Sequence, residues 1–253
     1  MKKLLRRIVE RMGYRYFKIA YQPVGLDHAH DVARFLGSAR NVKVVFDVGA
    51  NEGQSAERYV HAFPCAQIYS IEPFASTYKS LVERVSEFSR VRTFQLAFAD
   101  TNRVARIQPD AVSTVNSLRN ELSNSSSSPG ELITITTLGS FCAEQNISHV
   151  DFLKTDTEGF DVEVLKGAEA MLRNHKIQFI LAEVSFDPDN TIHYVTSFFR
   201  LAEYLHDFGY HFVDVYDEEF ACFCRPPIPF CNVLFTCAKP GAINVPAVTF
   251  RDA

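Results

Sequence analysis

The sequence predicts an α/β fold: a mostly parallel sheet of seven strands with helices on both faces. Three observations predict it. Short runs such as Val44-Val45-Phe46 and 177–184 are apolar almost without a break, as strands covered on both faces must be. Stretches of helical periodicity lie between these runs, so that strand and helix alternate. A glycine-containing turn, Gly49-Ala50-Asn51-Glu52-Gly53, joins the first clear strand to the following helix, where doubly wound sheets place their ligand-binding loops.

The elements follow in order. A short helix is expected over 27–38, then a strand over 42–48 and, after the glycine turn, a helix over 54–62 that Pro64 closes. A strand over 66–71 ends at Glu72-Pro73, a helix covers 75–88, and a third strand covers 91–97. This is the β-α-β-α-β rhythm of a Rossmann-like sheet. The rhythm breaks over 103–137, where strands at 104–107 and 132–136 flank the run Ser123-Asn-Ser-Ser-Ser-Ser-Pro-Gly130, a loop by composition and a candidate lid. A helix over 138–145 and a strand over 150–155 come next. A helix over 160–173 follows, with Val164, Leu165, Ala168, Met171 and Leu172 on one side. A buried strand over 177–184, a helix near 191–207 and strands over 210–216 and 232–236 complete the pattern.

At 253 residues the chain is expected to form one large domain, residues 41–240, with an N-terminal extension over 1–40 and a tail over 241–253. Its 26 basic and 30 acidic side chains leave a net charge of −4, which argues against general nucleic-acid binding. The charge is uneven: residues 1–18 hold seven basic side chains against Glu10 alone. Leu4, Ile8, Met12, Tyr16 and Ile19 recur there at helical spacing, the pattern of a basic amphipathic helix. Two placements fit this helix: peripheral contact with an anionic membrane surface through residues 2–18, or packing on its own domain or a partner subunit. Arg6 and Arg7 interrupt the apolar stretch, so it makes a poor secretory signal, and a cytoplasmic location with reduced cysteines is expected. Cys222, Cys224, Cys231 and Cys237 cluster in sequence, but their spacing departs from that of zinc sites.

The chemistry gathers where strands end. Asp47 closes the first strand, and Gly49 and Gly53 let the backbone turn tightly beside a ligand. The order G-x-x-x-G replaces the G-x-G-x-x-G of dinucleotide sites, and an acid in this turn suits a cationic cofactor better than a pyrophosphate. Glu72 ends the next strand, 19 residues beyond Gly53, at the spacing from which a carboxylate reaches ribose hydroxyls. Asp156, Glu158 and Asp161 follow the strand over 150–155, and Glu183 ends the next one. All of these belong to one carboxyl edge.

Asp47-Val-Gly-Ala-Asn-Glu-Gly53, Glu72-Pro73, Lys154-Thr-Asp-Thr-Glu-Gly159 and Val164-Leu-Lys-Gly167, in this order, resemble the FkbM family of methyltransferases. The likeness covers roughly 42–237. It implies a class I methyltransferase fold and S-adenosylmethionine as cofactor, with transfer to a hydroxyl oxygen of a sugar, glycan or glycosylated metabolite. By position it places Asp47, Gly49, Ala50, Asn51 and Gly53 beside the methionine part of the cofactor, Glu72 at its ribose and Ala97 near its adenine. Where the family often carries E-G-x-E, this chain has Glu158-Gly-Phe-Asp161.

An alcohol needs a base within hydrogen-bond reach as it attacks. Asp156 is the first candidate, Glu183 the second and His193 the third. Asp156, Glu158 and Glu183 also offer hard oxygen ligands to a divalent cation such as Mg²⁺, which would acidify the hydroxyl. Two other readings stand beside this one: a nicotinamide-dependent oxidoreductase, and a non-catalytic cofactor-binding protein on the same fold.

Overall fold

The computed structural model describes residues 11–12, 22–108, 118, 121, 130–187, 195–216 and 230–238. The amphipathic helix expected over 2–18, the Ser-rich run 123–129, His193, Cys222, Cys224 and the tail 241–253 lie outside the described residues, apart from Arg11 and Met12.

Helix α1 (His28–Phe35) precedes strand β1 (Val44–Val48), helix α2 (Gln54–Ala62), strand β2 (Gln67–Ile71), helix α3 (Ala75–Val85) and strand β3 (Val91–Phe94). Strands β4 (Ala97–Phe98), β5 (Arg103–Ile107) and β6 (Glu131–Thr136) come next, then helix α4 (Leu138–Glu144) and strand β7 (Val150–Thr155). Two short helices, α5 (Asp161–Lys166) and α6 (Glu169–Arg173), lead to β8 (Ile177–Ser185). Strand β9 (Thr196–Ser197), helix α7 (Phe198–His206), β10 (His211–Tyr216) and β11 (Cys231–Thr236) complete the described elements.

The main sheet has the order β10-β11-β8-β7-β1-β2-β3, with β9 added against β8. Every pairing in it is parallel except the two made by β11. This is the expected Rossmann-like, class I methyltransferase architecture. The chain runs outward from β1 through β2 to β3, then returns to the other side of β1 as β7. The switch point, where open α/β sheets bind their ligands, therefore lies between the carboxyl ends of β1 and β7.

The sheet is apolar on both faces. All six residues of β7 are buried, and neighbours along β1 and β7 point into different cores. Phe46 and Leu153 pack with α4, α5, α6 and α7 through Phe141, Leu165, Leu172 and Leu201. Val45 and Phe152 pack on the opposite side with α1 and α2 through Val32, Phe35, Tyr59 and Phe63. Asp151 caps the start of β1, accepting from the Lys43 and Val44 amides at 2.7 and 2.9 Å.

Three expectations differ in detail: the helix expected near 191–207 begins at Phe198, with Thr196 and Ser197 in strand β9. The strand expected over 91–97 stops at Phe94. Ala97 and Phe98 leave the main sheet and pair with β6, which is also antiparallel to β5, forming a separate three-stranded sheet. The helix expected over 160–173 is two helices, broken at Gly167-Ala168.

Candidate functional site

The loop after β1 is built on close approach. The Gly49 and Ala50 amides both donate to the Ile71 carbonyl at 3.0 Å, which lays the loop across the end of β2. Gly49 has φ +74°, and a Cβ there would sit 1.8 Å from the Asp156 carbonyl oxygen, so only glycine lets the β1 and β7 loops meet. Gly53 has φ +91°, and a Cβ there would meet Leu81 of α3 at 2.8 Å. Ala50, with Ala56, Leu81 and Val85, forms a small apolar cluster beneath the loop. Asn51 is left-handed at φ 47°, a conformation its short polar side chain tolerates, and its Oδ1 is buried without a hydrogen-bond partner.

Glu72 is 5% exposed. Its Oε2 accepts from the Asn51 amide at 3.0 Å, and its Oε1 accepts from the Phe74 amide at 3.1 Å and the Thr77 hydroxyl at 2.8 Å. Burial raises its pKa, while these donors pull it back. An ionised carboxylate offers about four acceptor positions, so three internal donors leave room for about one hydroxyl from a ligand. Ala97 lies close by in the chain's packing, in an apolar cluster with Phe74, Ala99 and Ile133.

Lys154 stands at the switch point with its side chain 8% exposed. Its Nζ lies 3.4 Å from Asp47 and 3.2 Å from Asp156 Oδ2, and donates to the Gly49 carbonyl at 3.2 Å. Burial works against the ammonium, but Asp156 and Asp47 outweigh it and hold Lys154 protonated. Asp47 has no exposed surface, whereas the Asp156 side chain is 35% exposed. Of the two carboxylates flanking the lysine, Asp156 is the one that reaches the crevice.

Asp161 does a different task. It is buried, and its Oδ1 accepts from the Thr155 and Thr157 hydroxyls and the Thr157 amide at 2.8, 3.1 and 3.3 Å, while Oδ2 accepts from the Thr196 hydroxyl at 2.6 Å. It ties the start of α5 to β7 and β9. Glu158, left-handed at φ 51°, and Glu183 are half-buried. Burial, followed by the charges of Asp156 and Asp161, pushes Glu158 up to about 8. Burial, with Asp156, Glu158 and Asp161, does the same to Glu183, also to about 8. Both carboxyls hold their protons at neutral pH.

The structure thus brings Asp47, Gly49 and Asp156 together around Lys154, joins Asn51 to Glu72, and sets Glu158 and Glu183 within electrostatic reach of Asp156. Among the described residues no group of three His, Cys, Asp or Glu side chains is arranged to hold a metal ion, so the alternative cation site of Asp156, Glu158 and Glu183 is not formed. A cleft of about 410 Å³ lined by Phe94, Leu96, Asn102, Phe141 and Gln145 lies apart from these acids, none of which lines it. The threonines that fix Glu72 and Asp161 gave no signal in sequence, because Thr77 and Thr196 lie in separate segments. Lys154 did give one: a lysine inside a strand buried on both faces must find a carboxylate.

These residues fit a cationic cofactor with a ribose. The unpartnered Asn51 oxygen and the remaining capacity of Glu72 await donors, and the carboxylates outnumber the single lysine.

A family model, the methyltransferase FkbM domain, matches residues 47–212. The 2-O-methyltransferase NoeI of Sinorhizobium fredii is 26% identical over 155 residues, covering 56% of this chain and 63% of that protein. The chain therefore matches less than two thirds of that relative's length. Among solved structures, the N-methyltransferase NodS of Bradyrhizobium japonicum superposes with a TM-score of 0.46 at 10% identity, over 83% of this chain and 93% of that one. A fibrillarin of Aeropyrum pernix, in complex with natively bound S-adenosyl-L-methionine, gives a TM-score of 0.44 at 12% identity, over 77% and 66%. The family match runs from Asp47 at the end of β1 to Phe212 in β10 and so spans most of the main sheet; the chain belongs to the FkbM methyltransferase domain family.

Proposed function

We propose that this protein is an S-adenosylmethionine-dependent O-methyltransferase acting on a hydroxyl of a sugar, glycan or glycosylated metabolite. The family supports methyl transfer, and the 2-O-methyltransferase relative supports oxygen as the acceptor atom. The observation that carries the reading is the Asp47–Lys154–Asp156 group at the switch point, where one lysine lies between a buried acid and a partly exposed one.

When bound, the cofactor supplies a methyl group on a positively charged sulfur. The protein's own work is to hold, orient and deprotonate. Glu72 takes a ribose hydroxyl, and Asn51 Oδ1 accepts a second donor. Asp156 takes the acceptor's proton. Lys154 engages its Oδ2 at 3.2 Å, which leaves Oδ1 for the incoming hydroxyl. Glu183 has its carboxyl raised to about 8, so near neutral pH it is mostly protonated and can exchange a proton with Asp156 or the acceptor.

The test uses purified protein, S-adenosylmethionine with an isotopically labelled methyl group, and a panel of hydroxyl-bearing oligosaccharides, with products read by mass spectrometry. Label is expected on a sugar oxygen. Asp156→Asn should lower turnover by about 100-fold or more, the usual weight of a general base, while S-adenosylmethionine still binds by calorimetry. Full turnover in Asp156→Asn would remove the base assignment, and label found only on nitrogen would remove the O-methyl reading.

A further inference from the structure

The ammonium of Lys154 lies within a cluster that a cationic cofactor would itself neutralise. Its hydrogen bond to the Gly49 carbonyl is one of several ties between the β1 and β7 loops. The β1 and β7 loops are already joined by their backbones: the Asp156 amide donates to the Val48 carbonyl at 3.0 Å, and Gly49 packs directly on the Asp156 carbonyl. What Lys154 adds is charge. It sits 3.4 Å from a fully buried carboxylate and 3.2 Å from a partly exposed one.

We propose that Lys154 sets the charge of the cofactor pocket: it is the internal counter-ion of Asp47, and it leaves the pair of carboxylates with one surplus negative charge, presented through Asp156, that matches the single positive charge of a sulfonium. Asp47 then acts through Lys154 and not as a direct ligand. This inference rests on reading the pocket as an S-adenosylmethionine site.

The reason for such a counter-ion follows from the reaction. The sulfur is cationic in the substrate form and neutral in S-adenosylhomocysteine, and its charge disperses on the way to the transition state. Each surplus carboxylate near it stabilises the starting state more than the transition state, which slows transfer. Two uncompensated acids would hold the sulfonium too well. One acid still favours the charged cofactor over the neutral product, so the product leaves readily.

The test is calorimetric and needs no acceptor. Dissociation constants for S-adenosylmethionine and S-adenosylhomocysteine are measured at pH 7 on the full chain and on Asp47→Asn, Lys154→Met, Asp156→Asn and the double variant Asp47→Asn/Lys154→Met, each with its melting temperature. The unaltered protein should prefer the sulfonium form. Asp47→Asn leaves the cluster neutral and should reduce that preference roughly tenfold, the scale of one unit charge several ångströms away at partial exposure. Adding Lys154→Met to Asp47→Asn restores the surplus charge, and the preference should return to within about threefold of the original. If Asp47→Asn fails to fold, Asp156→Asn, whose side chain is partly exposed, should show the same tenfold fall by itself.

A double variant that folds yet remains as impaired as Asp47→Asn would overturn the proposal and make Asp47 a direct cofactor ligand. An unchanged preference in Asp156→Asn would overturn it as well. Failure of the unaltered protein to bind S-adenosylmethionine would instead overturn the cofactor reading on which it stands.

Discussion

Gly49 and Glu183 show how single residues at the carboxyl edge carry consequences that composition hides. At Gly49 a methyl group meets two obstacles, a φ of +74° and the Asp156 carbonyl oxygen 1.8 Å away. Neither the β1 loop nor the β7 loop can retreat without breaking the hydrogen bonds that its amides donate to the Val48 and Ile71 carbonyls. Gly49→Ala is therefore expected to lower stability by about 2–4 kcal/mol, read as a lower urea midpoint, and to abolish calorimetric binding of S-adenosylmethionine. At Glu183 the effect is one of pH. Burial, then the neighbouring carboxylates, raise its carboxyl from 4.5 to about 8. Between those two values the folded protein keeps a proton that the unfolded chain releases, so the contribution of Glu183 to stability falls as pH rises through that window. Glu183→Gln mimics the protonated form. Its melting temperature should match that of the unaltered protein near pH 4.5 and exceed it at pH 8; an equal melting temperature at pH 8 would show that the carboxyl titrates normally.

Among the elements, the break between α5 and α6 sets helix propensity directly against close packing. Gly167 has a helical backbone at φ −63°, and by propensity alone an alanine there would stabilise by about 0.5–1 kcal/mol. A Cβ at that point would lie 2.2 Å from the Ala99 carbonyl oxygen and 3.2 Å from Thr137 Cβ. Backbone cannot yield as a flexible side chain does, so overpacking at about 1–3 kcal/mol wins. Gly167→Ala should lower the urea midpoint, and a raised midpoint would show that the segment after β4 moves freely. The same break shows what the sequence could and could not convey. Strands β1, β2, β7 and β8 were legible because burial on both faces demands unbroken apolar runs. The apolar stripe Val164, Leu165, Ala168, Met171 and Leu172 was legible too, but not the split within it, where the Gly167 carbonyl accepts from the amide of Gly139, a residue from another segment. Strand β3 read three residues too long because Ala97 and Phe98 are equally good in a strand, and only their partner β6 sends them to a second sheet. The site follows the same division. Acids at strand ends could be placed on one edge by topology, whereas the threonine hydroxyls that saturate Asp161 depend on side-chain geometry that no local pattern records.

At the scale of the whole molecule, α1 closes the underside of the sheet. It lies before residue 41, where the domain was expected to begin, yet Ala29, Val32 and Phe35 share a core with Val45, Phe152, Phe179 and Leu234. The contact also carries polar bonds. Asp31 has no exposed surface, and its Oδ2 accepts from the Tyr216 hydroxyl at 3.0 Å and the Gly25 amide at 2.9 Å, with Arg34 3.4 Å from Oδ1. His28 Nε2 lies 3.2 Å from the Tyr59 hydroxyl on α2. Residues near the start of the chain are thereby bonded to Tyr216 at the end of β10. Removal of residues 1–40 would expose the undersides of β1, β7, β8 and β11 at once. With about 1.5–3 kcal/mol for each large apolar side chain taken out of its core, the loss of Val32 and Phe35 alone amounts to roughly 3–6 kcal/mol, comparable to the whole stability of many domains. A chain beginning at residue 41 should therefore be aggregated or show no cooperative urea transition. The single change Asp31→Ala, which leaves the Tyr216 hydroxyl without its acceptor, should cost about 1–3 kcal/mol, read as a lower urea midpoint. A cooperative transition at the original midpoint in the shortened chain would show instead that the sheet holds its fold without α1.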